Sequence, residues 1–189
     1  MNEQPDVEWL VRRAKNGDRE AFSTLVKTFQ AKVFSIALRI SARAEDAQDI
    51  TQETFLRAYR SLSGFDTGRK FESWLARITV HCAYDHIGER GQGGVSLDAL
   101  FESNPGMWQV EAQDAGPEGL AQRRQRLEAL FRGIQVLPAR QRDAFVLKDL
   151  EGYETPDVAE ILSCDEATVR RHLVEARKKL REILGDDFL

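Results

Sequence analysis

The residues best placed to do chemistry in this 189-residue chain lie near its C-terminal end, in the stretch ATVRRHLVEARKKLREIL. A guanidinium donates two parallel hydrogen bonds to the acceptor edge of guanine or to a phosphate, and an ammonium supplies a mobile point charge. Here Arg170, Arg171, His172, Glu175, Arg177, Lys178, Lys179 and Arg181 are interleaved with Val169, Leu173, Ala176, Leu180 and Ile183, which recur at helical spacing. The apolar set is expected to face inward, which turns the cationic set outward. A second group, His81, Cys82, Asp85 and His86, brings metal-ligand types close together. Cys82 falls on the apolar stripe of its segment and no second cluster completes four ligands, so structural or nucleic-acid roles outweigh a metal centre. No glycine-rich phosphate loop or nucleophile elbow occurs, no cofactor is implied, and an enzyme is the least favoured class.

Three helical segments are expected to position the cationic face. Pro138 opens the first and Gly152 follows its end; Thr155-Pro156 supplies a cap candidate and a proline for the second, whose apolar residues are Val158, Ala159, Ile161 and Leu162. The turn Ser163-Cys164-Asp165 leads into the third. Ser163 with Glu166 reads as a capping box, but Asp165 is the preferred cap because it leaves a three-residue turn. A short helix, a tight turn and a longer helix with a basic exposed face form a helix-turn-helix pattern, in which the second helix enters the major groove. The same periodicity occurs in all-α proteins whose terminal basic face is merely solvated.

Upstream, Asp6 can cap a helix with Val7, Leu10, Val11 and Ala14 apolar, and Asp18 starts a long helix reaching Ile40. A third, from about Glu45 to Leu62, begins with acids that suit the helix dipole and carries Ala47, Ile50, Phe55, Ala58 and Tyr59 as its apolar face. Ser61 to Lys70 reads as a loop. A fourth helix places Phe71, Trp74, Leu75, Ile78 and Cys82 on one face and Arg77, His81, Asp85 and Arg90 on the other. Residues 88–119 change to glycine, proline and acids and read as a linker, although Val95, Leu97, Leu100, Phe101, Met107 and Trp108 argue against a passive spacer. A helix from Leu120 then returns to Pro138. The expectation is an all-α fold of two helical domains, residues 1–90 and 120–189, joined by an acidic linker over 91–119.

The net charge of −4 is unevenly spread: residues 1–90 carry +1, residues 121–189 are neutral, and residues 91–120 carry −5 with no Lys or Arg. Any nucleic-acid contact must therefore use a local face and not a global field. The two cysteines, Cys82 and Cys164, lie in unrelated segments, which fits a reducing compartment. No apolar run approaches a membrane span, and a cytoplasmic protein is expected.

In the strings AEDAQDITQETFLRAYRSLSGF, FESWLARI with HCAYDHI, LPARQRDAFVLKDLEGY, DVAEIL and ATVRRHLVEARKKLR, the chain resembles the extracytoplasmic-function (ECF) sigma factors of the sigma-70 family, promoter-specificity subunits of bacterial RNA polymerase. The resemblance implies core RNA polymerase (the β′ clamp and the β subunit), promoter DNA and an anti-sigma factor as partners. It makes Asp46, Asp49, Gln52 and Glu53 candidates for core polymerase binding. It implies that Phe65, Asp66, Arg69, Lys70, Arg77, His81 and Asp85 bind and melt the minus-ten element, with an extruded base held in a pocket; Trp74 falls on the apolar stripe and is read as core. Thr168, Arg170, Arg171 and His172 would read the minus-thirty-five element, with Arg177 and Lys178 on phosphates. The acidic linker would occupy a basic polymerase channel.

The chain departs from the family pattern in places. His81 stands where asparagine is usual, Gly88-Glu89-Arg90-Gly91 where arginines close the fourth helix, and Ser163 where the turn usually has glycine. Two other functions remain open on the residues alone: a sigma-like decoy that sequesters an anti-sigma factor, and a stand-alone helix-turn-helix regulator.

Overall fold

A computed structural model describes residues 6–90 and 117–185, with only the backbone described for residues 89–90 and 117–124; the expectations for residues 91–116, including the apolar residues and the acidic role of the linker, lie outside these residues, while residues 88–90 and 117–119, expected to belong to the linker, are helical. Eight helices make up the described fold: α1 (Val7–Lys15), α2 (Arg19–Ser41), α3 (Ala44–Ser61), α4 (Phe71–Arg90), α5 (Pro117–Gln135), α6 (Ala139–Phe145), α7 (Thr155–Leu162) and α8 (Glu166–Leu184). Short local signals set most of their starts. The Asp6 carboxylate accepts from the Trp9 N–H, and Asp18 accepts from Glu20 and Ala21, each satisfying amide donors that a helix start leaves unpaired. Asp165 does the same for Thr168, in agreement with the preferred cap. The cap of α7 differs from expectation: Thr155 is already helical and Glu154 precedes it with no side-chain bond. The reason is that Pro156 fits the first turn, where its missing N–H has no partner to lose.

Helices α1 to α4 bury Leu10, Leu25, Phe29, Phe55, Leu62, Phe65, Phe71 and Leu75 in one cluster. Around α5, α6 and α8, Ile134, Leu137, Phe145, Ala176 and Leu180 form another. Gly133 lets α5 approach α8 closely; a Cβ there would meet Leu180 at 3.0 Å. The largest cluster belongs to both halves, since it joins Ile36, Ile40, Ala76, Val80 and Ala83 to Phe131, Leu147, Tyr153, Val158 and Leu162. Helix α4 accordingly buries a second face, Ala76, Val80 and Ala83, beyond the expected Phe71, Leu75 and Cys82. Small residues at that spacing gave little sequence signal, yet they let α7 pack close against α4.

Polar contacts cross the same boundary. Arg39 on α2 pairs with Glu151, which follows the wide π-type turn Val146–Leu150, and Ser35 donates to the same carboxylate. Gln135 donates to the Arg39 carbonyl at 2.8 Å, the Tyr84 hydroxyl donates to Asp143 at 2.7 Å, and the Lys32 ammonium lies 4.4 Å from the centre of the Tyr153 ring. Two residues expected to face inward are instead exposed, Ile183 at 51% and Tyr59 at 45%. Both sit at the edge of their stripe, where a helix of 3.6 residues per turn drifts off the core.

Candidate nucleic-acid interface

Helix α8 is held by its buried stripe, Val169, Leu173, Ala176 and Leu180, against α5 to α7. Ser163 adopts the left-handed conformation, φ 55°, that the turn before α8 requires. Serine there carries a conformational cost that glycine would avoid, about 1–2 kcal/mol. On the opposite side, Ala167, Arg170, Arg171, Val174, Lys178 and Arg181 are exposed and fall within about 100° of the helix circumference. Among the described residues Arg171 and Lys178 make no ion pair, while Arg170 is paired with Glu166 at 2.9 Å. Other expected readers are engaged differently. The Thr168 N–H and hydroxyl both bond to the Asp165 carboxylate, which holds that carboxyl below its usual range. His172 is half-buried, with Nδ1 enclosed. Arg177 makes two hydrogen bonds to Asp149, at 2.9 and 2.7 Å, and that partner raises its already high pKa. Val174, 65% exposed, was not anticipated; its signal was a lone β-branched residue on the cationic side of the stripe.

The segment after α3 makes a short 3-10 turn, Leu62–Gly64, and then plunges Phe65 into an aromatic group. Its ring lies 5.7 Å from that of Phe71 and 4.8 Å from that of Trp74, so Trp74 is packed as expected and Phe65 is an interior wall. Asp66 shapes the turn: its carboxylate accepts from the Gly68 N–H at 2.9 Å and its carbonyl from Arg69 at 3.0 Å. Lys15 on α1 donates to the Phe65 carbonyl at 2.5 Å and ties the loop down. The result is a cleft of about 350 Å³ whose walls include Val7, Val11 and Arg12 from α1 and Phe65, Thr67, Arg69 and Lys70 from the loop. Arg77, His81 and Asp85 lie along α4, do not line this cleft, and Asp85 pairs with Arg57 at 2.6 Å. Among the described residues no three His, Cys, Asp or Glu side chains gather as a metal site.

A third surface lies between α2 and α3, an apolar groove of about 790 Å³ lined by Phe22, Val26, Phe34, Phe55, Leu56, Tyr59 and the polar Gln48 and Gln52. Leu56, 43% exposed, and Tyr59 leave this patch open, and contiguous apolar surface of this kind marks an interaction site. Asp49 is exposed beside it and Glu53 bonds Arg57 at 2.7 Å. The structure removes Asp46 from the expected surface set. It is buried, lies 3.3 Å from His86 Nε2 and 3.8 Å from Arg43 Nε, and so braces α3 against α4.

Known families match the two halves of the chain in turn. Residues 25–92 match the model of sigma-70 region 2, and residues 127–180 that of sigma-70 region 4. The RNA polymerase sigma-H factor of Pseudomonas aeruginosa is 32% identical over 191 residues, which cover 97% of this chain and 96% of that protein. The ECF RNA polymerase sigma-E factor of Escherichia coli K12 is 33% identical over 186 residues, 95% of each. The sigma factor RpoE of Bartonella quintana, solved in complex with the anti-sigma factor NepR, shares the fold with a TM-score of 0.66 at 22% identity, over 88% of this chain and 98% of that one. Among the described residues no helix is long and apolar enough to cross a membrane. With two regions in the family's order, and relatives matched over nearly their full length, this chain belongs to the extracytoplasmic-function sigma factors of the sigma-70 family.

Proposed function

We propose that this sigma factor divides promoter recognition and polymerase binding among the three surfaces. Residues 1–90 engage the polymerase and the minus-ten element, residues 120–189 read the minus-thirty-five element, and residues 91–119 connect them in the polymerase's nucleic-acid channel. The observation that carries this reading is the exposed stripe of α8, where Arg170, Arg171, Val174 and Lys178 share one side of a helix held by a helix-turn-helix. Arg171, exposed near the start of α8, suits a guanine edge, and Val174 suits a thymine methyl; Lys178, further along, suits a phosphate. Thr168 and Arg177 act through the geometry of the turn before α8 and of the π-type turn Val146–Leu150, where Asp149 lies, and His172 sits at the margin.

The cleft beside Phe65 is the proposed seat of an extruded base. Extrusion costs a few kcal/mol, which an aromatic wall and neighbouring cations offset by stacking and charge. Arg69 and Lys70 would meet the phosphates of the opened strand, while Asp66 holds the turn. Arg77, His81 and Asp85 form the adjoining face of α4, along which the strand would continue. The groove of α2 and α3, with Gln52, Asp49 and Glu53 at its edge, is the proposed docking site for the β′ clamp of core polymerase. The protein is proposed to act in the cytoplasm without catalytic chemistry of its own, and an anti-sigma factor, of the kind that binds the Bartonella relative, is proposed to hold it in check.

Run-off transcription with purified core polymerase tests the assignment. Promoter-specific transcripts are expected; binding to an anti-sigma factor alone would favour the decoy, and duplex binding without core would favour the regulator. Arg171→Ala should lower transcription from the cognate minus-thirty-five sequence by about tenfold while core binding persists. An equal loss on every promoter sequence would make Arg171 a phosphate contact.

A further inference from the structure

Glu175 is exposed on α8 one turn beyond Arg171 and about 40° around the helix from it, so an acid stands among the cations of the reading side. Arg171, Lys178 and Lys179 are its near neighbours on the helix surface, yet among the described residues Glu175 makes no ion pair with them. Its Oε2 instead accepts from Nε2 of Gln141 on α6, at 2.6 Å. Gln141 is only 9% exposed, and its own Oε1 is enclosed without a partner. Flipping that amide would set oxygen against carboxylate, so its donor side is fixed toward Glu175. We propose that Glu175 is a specificity-determining residue of the minus-thirty-five contact: its second oxygen accepts the N4 amino hydrogen of a cytosine, and Gln141 is the positioning residue that holds the first. The proposal rests on the reading of α8 given above.

The chemistry of the groove selects the base. A carboxylate only accepts hydrogen bonds. Guanine N7 and O6 and thymine O4 offer acceptors alone, and each would leave Glu175 desolvated and unpaired. Adenine has a donor at N6 but sets the N7 acceptor beside it, whereas cytosine presents its N4 donor with no acceptor on that edge. Glu175 therefore acts mainly by what the wrong bases lose. Its charge also faces the phosphates, so it lowers affinity for every sequence while narrowing the choice among them, and the cations around it offset the first effect. The Gln141 bond matters because a surface glutamate otherwise gives up rotamer freedom on binding; here one oxygen is tethered before DNA arrives. Register follows from the two helices. One turn of α8 separates Arg171 from Glu175 by about 6 Å along the axis, and base pairs stack about 3.4 Å apart. The cytosine falls one or two base pairs from the pair that Arg171 reads.

The test uses holoenzyme assembled from the full chain and core polymerase, with a duplex library randomised across the minus-thirty-five segment beside a fixed minus-ten segment. Bound and unbound DNA are sequenced. The parent should favour cytosine by about five- to tenfold at one position, within two base pairs of the position where Arg171→Ala relaxes selectivity. Glu175→Ala should erase that preference and leave the other positions as they were. Glu175→Gln, which donates as well as accepts, should move the preference toward adenine. Gln141→Leu should weaken the cytosine preference about two- to threefold at that position alone, a change that a general loss of stability does not produce because it scales all sequences together. A Glu175→Ala profile identical to the parent's overturns the proposal. So does a uniform gain on every sequence, which would leave Glu175 as a source of phosphate repulsion only. A Gln141→Leu profile like the parent's overturns the positioning role. If the parent shows no preference anywhere in the segment, the reading of α8 itself fails; selectivity that depends on Arg171 and owes nothing to Glu175 isolates the failure to this acid.

Discussion

At Asp143, a carboxyl with no exposed surface on α6 accepts a hydrogen bond from Tyr84 on α4, and its other oxygen has no partner. Burial pushes its pKa up from 3.8 to about 6, against the opposing pull of the Tyr84 hydrogen bond and of Arg142 and Arg140. The folded state therefore binds this proton more tightly than the unfolded chain does. Stability from this group is greatest below about pH 4, falls as pH rises toward 6, and stays low above it. Asp143→Asn keeps an acceptor for Tyr84 and removes the buried charge. It should be more stable than the parent at pH 7.5 by up to about 3 kcal/mol, at 1.36 kcal/mol for each pKa unit, with the difference vanishing near pH 4. Urea unfolding at the two pH values measures it, and a destabilised Asn variant at pH 7.5 would mean that the ionised form is the one the fold requires.

Among the elements, α2 and α3 present the clearest unmet surface. Leu56 projects from α3 into the groove at 43% exposure, so a change there leaves the core beneath it intact. Leu56→Glu should fold with an unchanged melting temperature and lose at least about tenfold in core polymerase affinity, because docking would bury an unpaired carboxylate. Fluorescence anisotropy against purified core measures this; retained affinity would move the docking site elsewhere. Helix α8 depends on its start in the same local way. Asp165→Ala removes the carboxylate that accepts from both the Thr168 N–H and its hydroxyl, and should lower the melting temperature in a thermal melt.

For the whole molecule, the shared cluster packs the two halves against each other, and they are expected to unfold as one cooperative unit. Leu147 is fully buried in it, on the turn that packs against α2. Leu147→Ala should destabilise by about 2–5 kcal/mol through lost burial and a residual cavity. Hydrogen exchange should then quicken in α2 and α4 as well as in α6 to α8. Loss of protection confined to the C-terminal helices would show that the halves unfold independently.

Local pattern was enough for the parts whose physics is local. Asp6, Asp18 and Asp165 announced helix starts because a cap acts within three residues, and the stripe Val169, Leu173, Ala176 and Leu180 fixed which side of α8 is free because a helix has a fixed period. The strings of regions 2 and 4 added the family. Fold class and the exposed cationic side of α8 were thus legible before any coordinates. What the chain does with those sides required the tertiary structure. Asp46 looked like surface and is buried on His86, Tyr59 looked like core and borders a groove, and Ala76, Val80 and Ala83 looked neutral and carry α7. Above all, Lys70 and Arg69 find Asp157 and Glu160, 87 and 91 positions further along the chain. Such pairings depend on how two amphipathic bodies meet, and no periodicity within either body encodes the separation or orientation of the other.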